Sequence, residues 1–322
     1  MAYLVTGGMG YIGSRVVRDL LNAGKEVVCL DPAGITSEAR EVIGEQNLGK
    51  VKLVKGDVSD AVQVFRLVKE NGIDMIIHHA FAMGLADYGK EMVGEQHLAY
   101  ALRVNCMGMI NILEAAHLFN VKRVVWTSAV LALGERIGDF HKEPIGDDAV
   151  FVPDTMYGGT KLLNEVMARI YFDRYGVDSI GFRIARTFGY SNLKIPFTEF
   201  NRKVALNIPV TMADPDYSNS YIYVEDCADA HVKACEVSTT KTRVFNLREG
   251  EYTNRQLLET IRRVNPGAKV SLVQGKSDGV RVPRLDTPGL RNELKWQAKH
   301  TLEEALREIY NYWRRKEGMP LL

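Results

Sequence analysis

The sequence predicts an α/β fold, a doubly wound parallel sheet with helices on both faces and a smaller C-terminal substrate-binding part. Three observations predict it. Short apolar runs alternate with helical stretches through the first half of the chain, and alternating strands and helices build a parallel sheet. Met75-Ile76-Ile77 and Val124-Val125-Trp126 are apolar throughout, as strands buried on both faces are. The first strand runs straight into Thr6-Gly7-Gly8-Met9-Gly10-Tyr11-Ile12-Gly13, a glycine-rich turn that opens a helix. Ligands of such sheets bind at the carboxyl ends of the strands.

Taken in order, Tyr3–Thr6 reads as a strand and Ile12–Ala23 as a helix stopped by Gly24. Strands follow at Glu26–Asp31 and Val51–Lys55, then a helix at Ala61–Asn71 and a strand at Met75–Ala80. Leu98–Asn120 reads as one long helix, Arg123–Ser128 as a strand, Tyr157–Tyr175 as a helix stopped by Gly176, and Asp178–Ile184 as a strand. The dinucleotide-binding part is placed at 1–185 and the substrate-binding region at 186–322, with some of the latter returning to the former. Residues 187–222 carry Pro196, Pro209 and Pro215 and read as loop-rich. Short helices are expected at 225–236, 254–264 and 302–316, the last opened by a capping box of Thr301 and Glu304. Met83–Tyr100, with Gly84, Gly89 and Gly94, reads as a substrate-side flap.

Composition narrows the function. Hydrophobic content is 46% and charged content 25% over 322 residues, as in globular proteins. A net charge of +1 leaves no electrostatic footprint for nucleic acid or an anionic membrane. No apolar run approaches a membrane span, and the first strand begins at once, so a cytoplasmic protein without a leader is the expectation. The four cysteines, Cys29, Cys106, Cys227 and Cys235, form no CxxC pair and read as buried apolar side chains. His78, His79, His141 and His231 lack metal-ligand spacing beside a carboxylate cluster, so no metal is expected.

Two constellations carry chemistry. Gly7, Gly10 and Gly13 allow close backbone approach, and the helix that opens there points free N–H groups at the crevice, which suits a pyrophosphate. Asp31 ends the second strand, 24 residues past Gly7. A carboxylate there accepts both hydroxyls of an adenosine ribose and repels a 2′-phosphate, which favours NAD over NADP; the bland reading is a turn residue before Pro32. Asp57 and Val58 follow the third strand and either meet the adenine amino group or simply turn the chain. Further on, Tyr157 and Lys161 stand at i and i+4, on one helix face. An ammonium beside a phenol lowers its pKa and makes it a usable base. Leu162, Leu163, Val166, Met167 and Ile170 read as that helix's own core stripe.

These residues resemble the extended short-chain dehydrogenase/reductases, of the NAD-dependent epimerase/dehydratase type. The resemblance runs through Thr6–Gly13, His78-His79-Ala80, Arg103-Val104-Asn105 to Ala116, Lys122–Ser128, Tyr157–Lys161, Tyr221–Asp226 and Arg291–Trp296. It implies a Rossmann-type fold that holds NAD through Gly7, Gly10, Tyr11, Ile12, Gly13, Asp31, Asp57, Val58, Ala80, Ala82, Asn105, Tyr157 and Lys161. It also implies Tyr157 as general base or acid, Lys161 as its partner on the nicotinamide ribose, and a homodimer paired through the two long helices.

Three departures bear on the substrate. The position of the family's catalytic hydroxyl falls on Ala129, five residues before Gly134. A one-residue insertion restores Ser128, and Thr127 is the other candidate. Arg186 stands where nucleotide-sugar members carry Asn, as a clamp for a carboxylate or hydroxyl or as a surface ion pair. Asn219 stands in place of a diphosphate-binding arginine, and a later one is replaced near Lys276-Ser277-Asp278. Diphosphates are usually gripped by arginine forks. The leading expectation is therefore hydride transfer at a secondary alcohol or ketone of a small sugar-like or acidic substrate, bound by Arg186, Ser128 and Met83. The alternatives are a nucleotide-sugar 4-epimerase or dehydratase with tightly held NAD, and a non-catalytic NAD-binding protein.

Overall fold

A computed structural model describes residues 1–82, 95–134, 137, 144–150, 152–191, 195–275 and 284–322, with backbone alone at 95–98. In chain order the strands are β1 (Ala2–Thr6), β2 (Glu26–Asp31), β3 (Val51–Lys55), β4 (Ile73–His78), β5 (Arg123–Ala129), β6 (Ser179–Ile184), β7 (Arg186–Phe188), β8 (Val210–Ala213), β9 (Ser218–Tyr223), β10 (Val244–Leu247), β11 (Gly250–Thr253) and β12 (Val270–Val273). The principal helices are α1 (Gly13–Asn22), α2 (Ser37–Ile43), α3 (Glu45–Leu48), α4 (Ala61–Glu70), α5 (Glu95–Leu102), α6 (Gly108–Leu118), α7 (Met156–Tyr175), α8 (Pro196–Ala205), α9 (Val224–Ala234), α10 (Asn254–Val264), α11 (Pro288–Asn292) and α12 (Leu302–Lys316).

Seven strands form the parallel central sheet in the order β10-β6-β5-β4-β1-β2-β3. The order reverses between β1 and β4, which opens a crevice at their carboxyl ends. One core packs on the sheet face carrying Val5, Cys29, Ile77 and Val125, and a second on the face carrying Leu4, Val28, Ile76 and Val124. This alternation along each strand is why the runs are apolar without a break. A third core lies among α8, α10, α12 and β9. β10 comes from the C-terminal half yet completes the central sheet beside β6.

The structure departs from the sequence expectations in three places. Residues 98–120 are not one regular helix, because a π turn at Arg103–Met107 separates α5 from α6. Such bulges place a side chain out of helical register and concentrate at functional sites. Residues 187–222 are more regular than their prolines imply. Pro196 opens α8 at its first turn, where no N–H is needed, and β9 joins a three-stranded sheet of order β11-β9-β7. On α7, Leu163, Val166 and Ile170 face outward, and the helix buries Lys161, Asn164, Glu165, Met167 and Ala168 instead. Apolar character marks a face that seeks cover, whereas the inward face here is chosen by its polar tasks.

Both halves are stapled by a buried ion pair. The Arg15 guanidinium of α1 bonds Glu225 of α9 at 2.6 Å, and Arg18 takes the other carboxylate oxygen at 2.6 Å. The Thr301–Glu304 capping box opens α12.

Candidate active site

The crevice is a cavity of about 450 Å³ whose lining includes Gly7, Gly10, Asp31, Asp57, Val58, Ala80 and Ala82. Gly7 adopts φ +68°, and a Cβ on it would stand 2.8 Å from the Ala80 backbone nitrogen. Only glycine allows β1 and the end of β4 to approach that closely. The turn therefore meets the crevice with bare backbone, the surface that a pyrophosphate needs. Asp31 ends β2 with its carboxylate fixed by the Met9 N–H at 3.0 Å and the Ala33 N–H at 2.9 Å. Two backbone donors leave further lone pairs for ribose hydroxyls. Val58 is pinned by the Asn111 amide, which donates to its carbonyl at 2.9 Å. Asn105, on the π turn, accepts from the Ala82 N–H at 2.8 Å and returns a bond to the Ala82 carbonyl at 3.3 Å. It thus shapes the wall through Ala82. Tyr11, Ile12 and Gly13 carry the chain from crevice into α1, and the first two pack toward the third core. The donor set and bare cradle fit a dinucleotide.

Tyr157 lies in the first turn of α7, whose N-cap Thr155 accepts from the Gly158 N–H at 3.1 Å. The Lys161 ammonium stands 5.6 Å from the centre of the Tyr157 ring and 5.5 Å from that of Phe81. It donates to the Thr127 carbonyl at 2.8 Å. Burial pushes the Lys161 pKa down to about 8, with Cys106 and Glu165 pulling the other way. A buried cation without a bonded carboxylate is a stability cost kept for function. Lys161→Met is accordingly expected to stabilise the unliganded protein by about 3 kcal/mol below pH 8. Between about pH 8 and 10.5 the unfolded chain holds the extra proton, so the native protein gains stability as pH rises and its deficit against the variant closes. Thermal melts of both proteins across that range check this.

The strand end beneath Lys161 holds a group that spacing did not reveal. Thr127 Oγ1 lies 2.7 Å from His79 Nδ1 and 3.4 Å from His231 Nε2, and the two rings are 4.5 Å apart. His231 Nδ1 faces the Cys227 carbonyl at 2.7 Å and so carries the proton, leaving Nε2 as an acceptor. Burial keeps His231 neutral, with its pKa lowered to about 4, and pushes His79 down as well.

Ser128, expected as the catalytic hydroxyl, is buried and bonded beneath α7. β5 pairs with β6 without a bulge through Ala129↔Ile184. The Ser128 hydroxyl donates to Glu165 at 2.7 Å, and Glu165 also receives a two-pronged grip from Arg183 at 2.7 and 3.0 Å. Strand alternation explains it: Thr127 and Ala129 share one face of β5, and Ser128 points to the other, under α7. Thr127 is committed to the two histidines. Glu165, four residues after Lys161, was the sequence signal for this buried pair.

Arg186 heads β7, half-buried, with its guanidinium 6.0 Å from the Tyr221 ring centre. Met83, His141, the 276–278 segment and most of the expected 83–100 flap lie outside the described residues; α5 occupies the flap's end. Among the described residues no group of three His, Cys, Asp or Glu side chains gathers as a metal site, and no helix is long and apolar enough to cross a membrane.

The chain is similar to proteins of known family and fold. The NAD dependent epimerase/dehydratase family profile matches residues 3–247. The UDP-glucose 4-epimerase of Lactobacillus helveticus is 30% identical, with 93% of each chain covered. That of Bacillus subtilis is 27% identical over 97% of this chain and 96% of its own. Among solved structures, the UDP-glucose 4-epimerase of Thermotoga maritima with UDP-glucose matches with TM-score 0.79 at 23% identity, covering 98% of this chain and all of that one. A partial-consensus L-threonine 3-dehydrogenase matches with TM-score 0.79 at 20% identity over 98% of this chain and 100% of its own.

Proposed function

The chain belongs to the NAD-dependent epimerase/dehydratase family, and we propose that within it this NAD-dependent enzyme oxidises or reduces a secondary alcohol or ketone of a small polyhydroxylated, acidic substrate. The observation that carries the reading is the pair at the crevice: a phenol on the first turn of α7 and, one turn on, a buried ammonium held on the Thr127 carbonyl. NAD, when bound, supplies the hydride acceptor or donor. Gly7, Gly10, Asp31, Val58, Ala80 and Ala82 hold the dinucleotide along the crevice, with Asn105 setting the position of Ala82. The Tyr157 phenolate takes the proton of the substrate hydroxyl, or in the reverse direction the phenol gives its proton to the carbonyl oxygen, and the Lys161 ammonium stabilises the phenolate form. Ser128 acts at a distance, by orienting Glu165 beneath Lys161.

A second reading, a nucleotide-sugar 4-epimerase with captive NAD, is favoured by the names of the relatives. Asn219 and Arg186 count against it, because the first removes a phosphate donor. Cofactor retention separates the two. Freshly purified protein is denatured and its released NAD measured, alongside the exchange rate of labelled NAD. Fast exchange and little retained NAD are expected here; stoichiometric, slowly exchanging NAD favours the epimerase, and no binding at all defeats both.

The outward stripe of α7, with Leu163, Val166 and Ile170, together with exposed Leu102 and Met107, supports pairing of two copies through these helices. Light scattering is expected to give a dimer, and Leu163→Glu a monomer. A monomeric wild type disproves the pairing.

A further inference from the structure

β6 and β10 are adjacent parallel strands that end in register, Ile184 opposite Leu247. The dinucleotide crevice takes the ends of β1 to β4, and Lys161 sits over the end of β5. The next strand ends in the series, β6 and β10, are therefore the ones left to meet a substrate. Directly past β10 come Arg248 and Glu249, and two residues past β6 comes Arg186.

This corner is tied by backbone hydrogen bonds, and three of its buried polar atoms are unbonded. The Ala185 N–H bonds the Leu247 carbonyl at 2.9 Å, and the Glu249 N–H bonds the Tyr221 carbonyl at 2.7 Å. Tyr221 pairs with Arg186 on one side and Gly250 on the other, so Arg186 lies across one strand from the turn. Arg248 Nε and Glu249 Oε2 are both buried without a hydrogen-bond partner. Glu249 Oε1 accepts from the Tyr252 hydroxyl at 2.6 Å. Ser220 Oγ, beside Tyr221, is likewise buried and unbonded. Buried polar atoms are nearly always paired, so a guanidinium nitrogen and a carboxylate oxygen left open on consecutive residues are candidates to meet a ligand.

The chemistry of the pair names that ligand. Arginine forks fit a planar carboxylate, and a carboxylate oxygen takes a hydroxyl. A diphosphate is disfavoured, because the Glu249 carboxylate would repel it. We propose that Arg248, Glu249 and Arg186 form a subsite for a polyhydroxy carboxylate, Arg248 and Arg186 taking the carboxylate and Glu249 a substrate hydroxyl. The proposal deepens the functional reading above and rests on Tyr157 and Lys161 as the reacting end.

Calorimetric titration of the NAD-loaded protein tests it, with D-gluconate and L-threonate as probes and UDP in a parallel arm. Both hydroxy acids are expected to bind, and UDP to bind weakly or not at all. Arg248→Met is expected to weaken hydroxy-acid binding about tenfold or more, and Glu249→Gln several-fold, with NAD affinity unchanged. Arg248→Lys, which keeps the charge and loses the fork, should fall between and covers the case in which Arg248→Met misfolds. UDP binding without hydroxy-acid binding overturns the proposal, as does wild-type affinity in folded Arg248→Met or Arg248→Lys. Hydroxy-acid binding to a protein that takes no NAD would instead overturn the functional reading and leave the subsite standing.

Discussion

Tyr157→Phe is expected to lower turnover by about 10²–10⁴-fold while NAD binds with wild-type affinity. The substitution removes one oxygen and leaves the ring, so the 6.3 Å contact with Phe81 and the first turn of α7 persist. The crevice lining lies at the ends of β1 to β4 and on Tyr100 and Val104, and does not include Tyr157. A role in proton transfer therefore separates from a role in holding the cofactor. Steady-state rates and calorimetric NAD titration of the same preparation check this. A variant with full activity would show that the proton leaves by another group and would remove the central assignment.

Glu225→Ala is expected to destabilise the fold by about 3–5 kcal/mol, because it strands Arg15 in the interior. The Arg15 side chain has no solvent exposure and lies between the Tyr11 and Tyr190 rings at 5.0 and 4.7 Å. Glu225 is its ion-pair partner, and also binds Arg18 and the Tyr190 hydroxyl. For a chain of this size the melting temperature should fall by roughly 4–7 °C. The effect has a pH signature. Burial raises the Glu225 pKa, but Arg15 and Arg18 outweigh it and hold the carboxyl below its usual 4.5. A depressed native pKa contributes stability that is present above pH 4.5 and lost as pH falls through the native value. The melting gap between wild type and variant should be constant at neutral pH and narrow in acid. A gap under 1 kcal/mol at pH 7 would mean that Arg15 finds another partner.

Legibility in the sequence followed the range of the interactions. The placement of the glycine turn, Asp31 and the Tyr157–Lys161 pair was readable because each depends on neighbours a few residues away: a tight turn, a strand end, one helix turn. The parallel sheet was readable because burial on both faces forces uninterrupted apolar runs. The bond of Ser128 to Glu165 was not readable, because strand alternation, set by the register of β5 on β6, decides which hydroxyl faces α7. The α7 stripe was misjudged because the same helix must bury Lys161 and Glu165 and so turns Leu163, Val166 and Ile170 outward.

By itself the sequence determined the fold class and the glycine turn, and it singled out the Tyr157–Lys161 pair on which the proposed function rests, all products of local geometry and of hydrophobic period. Tertiary structure alone decided the rest. His79, Thr127 and His231 meet from three separate elements, Glu165 meets Arg183, and Arg248 lands at the strand end beside that of β6. Contacts between residues tens to more than a hundred positions apart depend on strand order and register, which the packing of the whole chain fixes and no local pattern encodes.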